Sequence, residues 1–252
     1  MALAYDELKR MLLTIETRKG WDFSCVRESR DPIPWDYVAL VPKYLRATDV
    51  VLDIGTGGGE QFLKLSPFLA RGLGVDISPD MIAQARCNQA ALSAPHVDFG
   101  VMDTFHLAVE DASFDVVLNR HCNVAVDEVV RVLCPGGLFI TQQVASRNTG
   151  NLLEAFGWTP ESFGEDWWQP VAELATAFEG AGCQVDVRAE YDVRYWFLDV
   201  PSLLFWLVAV PLPEPFDLDR HWHGVNRILD RYTTDQGIET NEHRELLIVR
   251  KP

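Results

Sequence analysis

Between about Asp49 and Val144 the chain alternates short apolar runs with stretches whose apolar residues recur at helical spacing. The runs DVVLDIG, GLGVDIS, HVDFGVM, FDVVLNRH and GGLFITQQV read as buried strands. EQFLKLSPFL, PDMIAQARCNQAAL and NVAVDEVVRVL carry the helical period. Apolar runs followed by helical patterns predict β-α-β units around a parallel sheet. Ser78-Pro79-Asp80 reads as a helix start, with a cap residue and a proline in the first turn, and Cys134-Pro135-Gly136-Gly137 as a helix end.

Beyond Val144 the pattern loosens. ASRNTGNLLEAFGWTPESFGEDWWQP reads as an insertion, VAELATAFEGAG as a helix, CQVDVRAEYDV as a strand and HRELLIVRK as a last strand. All eight tryptophans lie outside the β-α-β stretch: Trp21 and Trp35 before it, and Trp158, Trp167, Trp168, Trp196, Trp206 and Trp222 after it. Large aromatics supply rigid contact area, so the flanks read as a cap, with one to three tryptophans expected to line a ligand and the rest to fill the core. The division expected is a single domain over 1–252. It has an N-terminal helical cap segment (1–45), a core (46–190), a cap insertion (191–240) and a last strand (241–252).

Composition narrows the function. A formal charge of −15 with no Lys/Arg-rich run would repel a phosphate backbone, so a small molecule is a better expected partner than nucleic acid. Five scattered cysteines without a C-x-x-C pair argue for a reducing compartment and against structural zinc. The first residues, MALAYDELKRMLLTIE, read as an amphipathic helix and not as a signal peptide, and VPSLLFWLVAVPLP is too short to span a bilayer. A cytoplasmic protein without a membrane partner, monomeric or homodimeric, is the expectation.

The stretch VVLDIGTGGGEQFLKL places Asp53 before Gly55, Gly57, Gly58 and Gly59. A dinucleotide fingerprint counted from Gly55 needs glycine at position 60, where Glu60 stands, and a phosphate loop needs Gly-Lys-Ser/Thr, where the chain has Gly-Glu-Gln. Acids beside the glycines repel pyrophosphate and suit a cationic ligand. The chain here resembles the class I S-adenosylmethionine (SAM)-dependent methyltransferases. Asp53-Ile-Gly55-Thr-Gly57-Gly-Gly59 is similar to the family's first motif, Asp76 in GVDIS to its second and Asp103 in VMDTF to its third. Phe114-Asp115-Val116-Val117 and Leu133-Cys-Pro135-Gly136-Gly137 follow in register.

The resemblance covers about the middle hundred residues. It implies an α/β fold, a Rossmann-like, seven-stranded, mostly parallel sheet with helices on both faces and an antiparallel last strand. It implies SAM as cofactor, with S-adenosylhomocysteine (SAH) as product, held by Asp53, Gly55, Thr56, Gly57, Gly59, Asp76, Ile77, Asp103, Thr104 and Asn119. Asp76 would take the ribose hydroxyls, Asp103 the adenine amino group and Asn119 the methionine part. Each acid also has a structural use, Asp53 as a cap of loop amides, Asp76 as a helix-entry cap and Asp103 as a turn residue.

Methyl transfer asks the protein for positioning, desolvation and, for some acceptors, removal of a proton. His121, two residues past the fourth strand, is the candidate catalytic group, as a base or as an orienting group, because an imidazole near pKa 6.5 suits proton transfer. A scaffold histidine bonded to Gln142 or Gln143 is the alternative. Of Gln142 and Gln143, which alternate across the fifth strand, one is a candidate substrate contact. His221-Trp-His223 lacks a third ligand at metal spacing, so no metal is expected. The expected acceptor is small and partly apolar or aromatic, entering beneath residues 21–37 and 195–222. A SAM-binding protein without turnover, or an RNA methyltransferase working with a partner, are the alternatives.

Overall fold

Val51, Leu52 and Ile54 are almost fully shielded on both faces of their strand, which is why this run lacks strict polar alternation. In a computed structural model describing residues 3–15, 18–164 and 169–252, the chain opens with helix α1 (Tyr5–Leu13), a short strand β1 (Glu28–Arg30) and one turn, α2 (Tyr37–Leu40). The core follows as β2 (Val50–Ile54), α3 (Phe62–Leu65), β3 (Arg71–Asp76), α4 (Pro79–Leu92), β4 (Val97–Val101), β5 (Phe114–Arg120), α5 (Val126–Val132) and β6 (Leu133–Val144). Then come α6 (Gly150–Phe156), α7 (Val171–Gly180), β7 (Gln184–Phe197), α8 (Val200–Ala209), α9 (Leu218–Tyr232), β8 (Thr233–Thr234) and β9 (Gly237–Arg250).

The strands form one sheet in the order β1-β7-β9-β6-β5-β2-β3-β4. Strands β4, β3, β2, β5 and β6 run parallel, and β9 lies antiparallel between β6 and β7. The expected seven strands are all present, and β1 and β8 are short additions that pair with β7 and β9. The sheet extends beyond the predicted boundaries, because β7 runs to Phe197 and β9 begins at Gly237, so the two form one long antiparallel ladder.

Side-chain alternation sorts the core into two layers. Val51, Val116, Leu118 and Ile140 meet Tyr37, Phe62 and Ile82 on one face, while Leu52, Val117 and Phe139 meet Val129, Leu174 and Phe178 on the other. Burying each such side chain is worth roughly 1.5–3 kcal/mol. A third cluster joins Leu8 of α1 and Val26 to α6, α8, α9 and Phe197. The apolar run from Val200 therefore packs as a core helix, and no helix among the described residues is long and apolar enough to cross a membrane.

Two local readings change. The helix expected over 60–69 is only the single turn α3 followed by a 3-10 turn at Ser66–Phe68, where Pro67 removes a backbone donor. Cys134-Pro135-Gly136-Gly137 does not end a helix: α5 stops at Val132, and the motif forms the irregular start of β6, with a register shift between Phe114 and Val116 on its partner. Ser78 caps α4 as read, its Oγ accepting from the Met81 amide at 3.3 Å.

Candidate functional site

The carboxyl ends of β2, β3, β4, β5 and β6 lie side by side, where an open parallel sheet binds its ligands. After β2 the chain turns through Gly55 and Gly57, at φ +70° and +56°, a backbone that only glycine adopts without strain. There is also no space for a side chain: a Cβ on Gly55 would lie 2.5 Å from Cys122 Cβ, and one on Gly57 would lie 2.4 Å from the Trp21 ring. The Gly55 and Thr56 amides both donate to the Val75 carbonyl at 2.9 Å, and the Gly59 amide donates to Thr56. The loop is thus fastened to β3.

Asp76 ends β3 and accepts the Gly57 amide on Oδ2 and the Ser78 amide on Oδ1, each at 2.9 Å. Each oxygen retains a further lone pair for a hydroxyl donor. Ile77 beside it is an apolar side chain 69% exposed at a strand end. Asp103 turns the chain after β4 by accepting the Phe105 amide on Oδ1 at 2.9 Å, which leaves Oδ2 facing His106 at 3.6 Å. Thr104 follows in the same turn, partly buried. Asp53 is buried at the end of β2, and burial pushes its carboxyl up to about 7 against the Thr56 hydroxyl and the Arg120 guanidinium, which favour the ion.

Asn119 is fully buried, its Oδ1 accepting from Thr141 Oγ1 at 3.0 Å and Gln143 Nε2 at 2.7 Å, so its side chain braces β5 against β6. Gln143 belongs to the same brace, donating also to the Cys122 carbonyl. Gln142 points the other way. Trp35 Nε1 donates to Gln142 Oε1 at 2.9 Å, so the Gln142 amide nitrogen, 3.2 Å from His121 Nε2, is the donor to the ring. The proton of His121 therefore sits on Nδ1.

His121 takes a left-handed φ of +60°, held by its own amide donating to the Gln142 carbonyl at 3.0 Å. The residue is solvent-exposed as a whole, with protein crowded around its ring. That crowding and the guanidiniums of Arg120 and Arg244 hold its pKa well below 6.5, so it is neutral at pH 7. A neutral ring with Nε2 already accepting presents its Nδ1–H, and orienting suits it better than proton removal.

Residues 21–37 were expected to form part of a cap, and what the sequence did not reveal is their contact with the glycine loop and Glu60. Trp21 lies on Gly57, the Trp21 amide donates to Glu60 Oε1 at 3.0 Å, and the Arg18 guanidinium stacks 3.8 Å above the Trp21 ring. Glu60, read as a charge suited to a cationic ligand, is a latch for this segment. The expected pocket tryptophans also change. Trp196 is buried with Nε1 on Glu239, and Trp206 packs on Phe197, both inside the apolar framework; Trp167 and Trp168 lie outside the described residues. Trp21 and Trp35 are the two at the strand ends. His221 accepts the Asp217 amide and faces Glu214 at 3.1 Å, and the described residues contain no group of three metal-ligating side chains.

Residues 52–141 match the family model described as Methyltransferase domain. The chain is 38% identical over 114 residues to an arsenite methyltransferase of Halobacterium salinarum, covering 41% of this chain and 28% of that enzyme. It is 33% identical over 102 residues to an uncharacterized methyltransferase of Bacillus subtilis, YcgJ, covering 38% of this chain and 40% of that one. The chain thus spans well under half the length of these curated relatives. The YcgJ crystal structure superimposes with a TM-score of 0.61 at 21% identity, over 85% of this chain and 97% of the other. The [4+2]-cyclase SpnF does so with a TM-score of 0.58 at 19% identity, over 85% and 79%. Likeness at this identity speaks for the fold alone. Residues 52–141 thus match a methyltransferase domain, on a sheet whose order and strand-end motifs are similar to those of the class I SAM-dependent methyltransferases.

Proposed function

We propose that the protein binds SAM at the ends of β2, β3 and β4 and transfers its methyl group to an O, N or C atom of a small, partly apolar acceptor in the cytoplasm. The observation that carries this reading is the Asp76–Gly57 unit: a carboxylate with free lone pairs bonded to a loop that has no space for side chains. The residues fit the cofactor. Asp76 would hold the ribose, Ile77 and Asp103 the adenine, and the loop from Gly55 to Gly59 the methionine part, with Asp53 beneath. SAM would supply a methyl carbon already activated by a cationic sulfur.

The chain's own residues then position and exclude water. Trp21 and Trp35 wall the strand ends, and the relay from Trp35 through Gln142 fixes the His121 tautomer so that Nδ1–H can orient an acceptor oxygen or nitrogen. The test is calorimetry with SAM and SAH, followed by detection of SAH release over an acceptor panel. Binding with acceptor-dependent release supports the reading. Binding without release over the panel supports a SAM-binding protein without turnover, and no binding overturns both.

A further inference from the structure

Three arginines from separate elements gather on the Tyr37 side of the sheet, beyond the cofactor loop: Arg30 on β1, Arg120 ending β5 and Arg244 on β9. Two of them, Arg30 and Arg244, face two carboxylates, Glu242 and Glu28. Glu242 accepts Arg30 Nη1 on both oxygens, at 3.0 and 3.1 Å, stands 3.6 Å from Arg244, and also accepts the Tyr191 hydroxyl at 2.6 Å. Glu28 is bonded to the Tyr195 hydroxyl.

Arg120 has no such match. Its Nε is sealed from solvent without a hydrogen-bond partner, while the residue as a whole keeps partial exposure. The carboxyl groups that act on it through space are committed elsewhere: Glu242 to Arg30 and Tyr191, Asp36 to the Ala39 amide at the start of α2, and Asp53 to a half-protonated state near neutral pH. A guanidinium whose Nε lacks a partner in a low-dielectric wall is costly, and such a group is a candidate for completion by a ligand.

Its neighbours are the parts of an acceptor site. Arg120 pairs in register with Gln142, precedes His121, and shares its face of the sheet with Tyr37 and with Trp35, whose ring meets Tyr191 edge-on at 4.7 Å. We propose that the acceptor carries a carboxylate, held by the Arg120 guanidinium, with its apolar or aromatic body against Trp35. One uncompensated positive charge matches one negative charge, and a planar fork matches a planar carboxylate. His121 Nδ1–H is the second donor within this wall. The inference rests on the methyltransferase reading and adds the acceptor's chemical class.

The experiment measures binding of 3-phenylpropionate and 4-hydroxyphenylacetate, each against its primary amide, to protein saturated with SAH. The carboxylates are expected to bind at least tenfold more tightly than the amides. Arg120→Met should abolish that difference with SAH affinity unchanged, and Arg120→Lys should retain part of it. Equal affinity for acid and amide in the unaltered protein overturns the proposal without any variant, as does a failure of both acids to bind. A preference that survives Arg120→Met overturns it too, and a parallel loss of SAH affinity assigns the guanidinium to the cofactor instead. Failure of SAH itself to bind would instead overturn the methyltransferase reading, so the two are told apart.

Discussion

Asp76 Oδ2 accepts the Gly57 backbone N–H at 2.9 Å, so the acid ending β3 and the glycine following β2 form one hydrogen-bonded unit. Asp76→Ala removes both the proposed ribose acceptor and one anchor of the loop. Hydrogen bonds to a charged group are worth roughly 1.5–3 kcal/mol, so SAM affinity should fall about ten- to a hundredfold. Calorimetry on the folded variant checks this, and unchanged affinity would remove Asp76 from the site.

Gly57→Val meets two obstacles, a left-handed φ of +56° and the Trp21 ring. Strain of this kind costs of order 1–3 kcal/mol, which a loop transmits locally and the sheet does not feel. The variant should keep its far-ultraviolet circular dichroism and lose SAM binding. Normal binding would show that this loop does not cradle the cofactor.

The Asp53 carboxyl, raised to about 7, predicts a pH dependence. Its folded pKa lies above its unfolded value, so its contribution to stability is full below about pH 4 and is lost as pH rises through 7. A cationic ligand prefers the ionised form, so SAM affinity should climb between pH 6 and 8 with release of a proton. Calorimetry in buffers of different ionisation enthalpy counts that proton. Asp53→Asn should flatten the profile, and a profile unaltered in this variant would contradict the assignment.

The relay fixes a tautomer that nuclear magnetic resonance can read. His121 should show Nδ1 protonated and Nε2 bare, and it should stay neutral at pH 6. Trp35→Phe keeps a ring against Tyr191 and deletes the Nε1–H, which frees the Gln142 amide to flip. A mixture of tautomers and a lower kcat are expected. A His121 that titrates near 6.5 in the unaltered protein would count against this arrangement.

The sheet and the cofactor loop were legible because their signals are local. Each Val/Ile run, the glycines after Asp53 and the acid at or just past the end of β2, β3 and β4 can each be read within a few residues of chain. The acceptor wall was not legible, because Arg120 looks like any strand-end residue until β9 places Arg244, and β1 places Arg30, on the same side. The Asn119 brace was hidden for a related reason. Alternation along β5 sends its side chain to Thr141 and Gln143 and sends Arg120 to the Tyr37 face, and a sequence does not reveal which parity takes which face. Tryptophan abundance marked the flanking segments but not which rings stand at the strand ends: Trp196 and Trp206 pack inside the framework, whereas Trp21 lies on Gly57 and Trp35 on Gln142.

The latch between Trp21 and Glu60 has a kinetic consequence. Segment 18–23 is held by one amide hydrogen bond, the ring on Gly57, the Arg18 stack and the Phe23 edge on Phe205 at 5.7 Å, and by none of the sheet's ladders. It can therefore lift as a small local opening while the strands stay closed. With SAH held by the glycine loop as proposed, its departure would follow that opening, and turnover would then be paced by departure and not by chemistry. Stopped-flow measurement of SAH dissociation should show a faster off-rate in Glu60→Gln, together with a pre-steady-state burst in the unaltered enzyme that the variant loses.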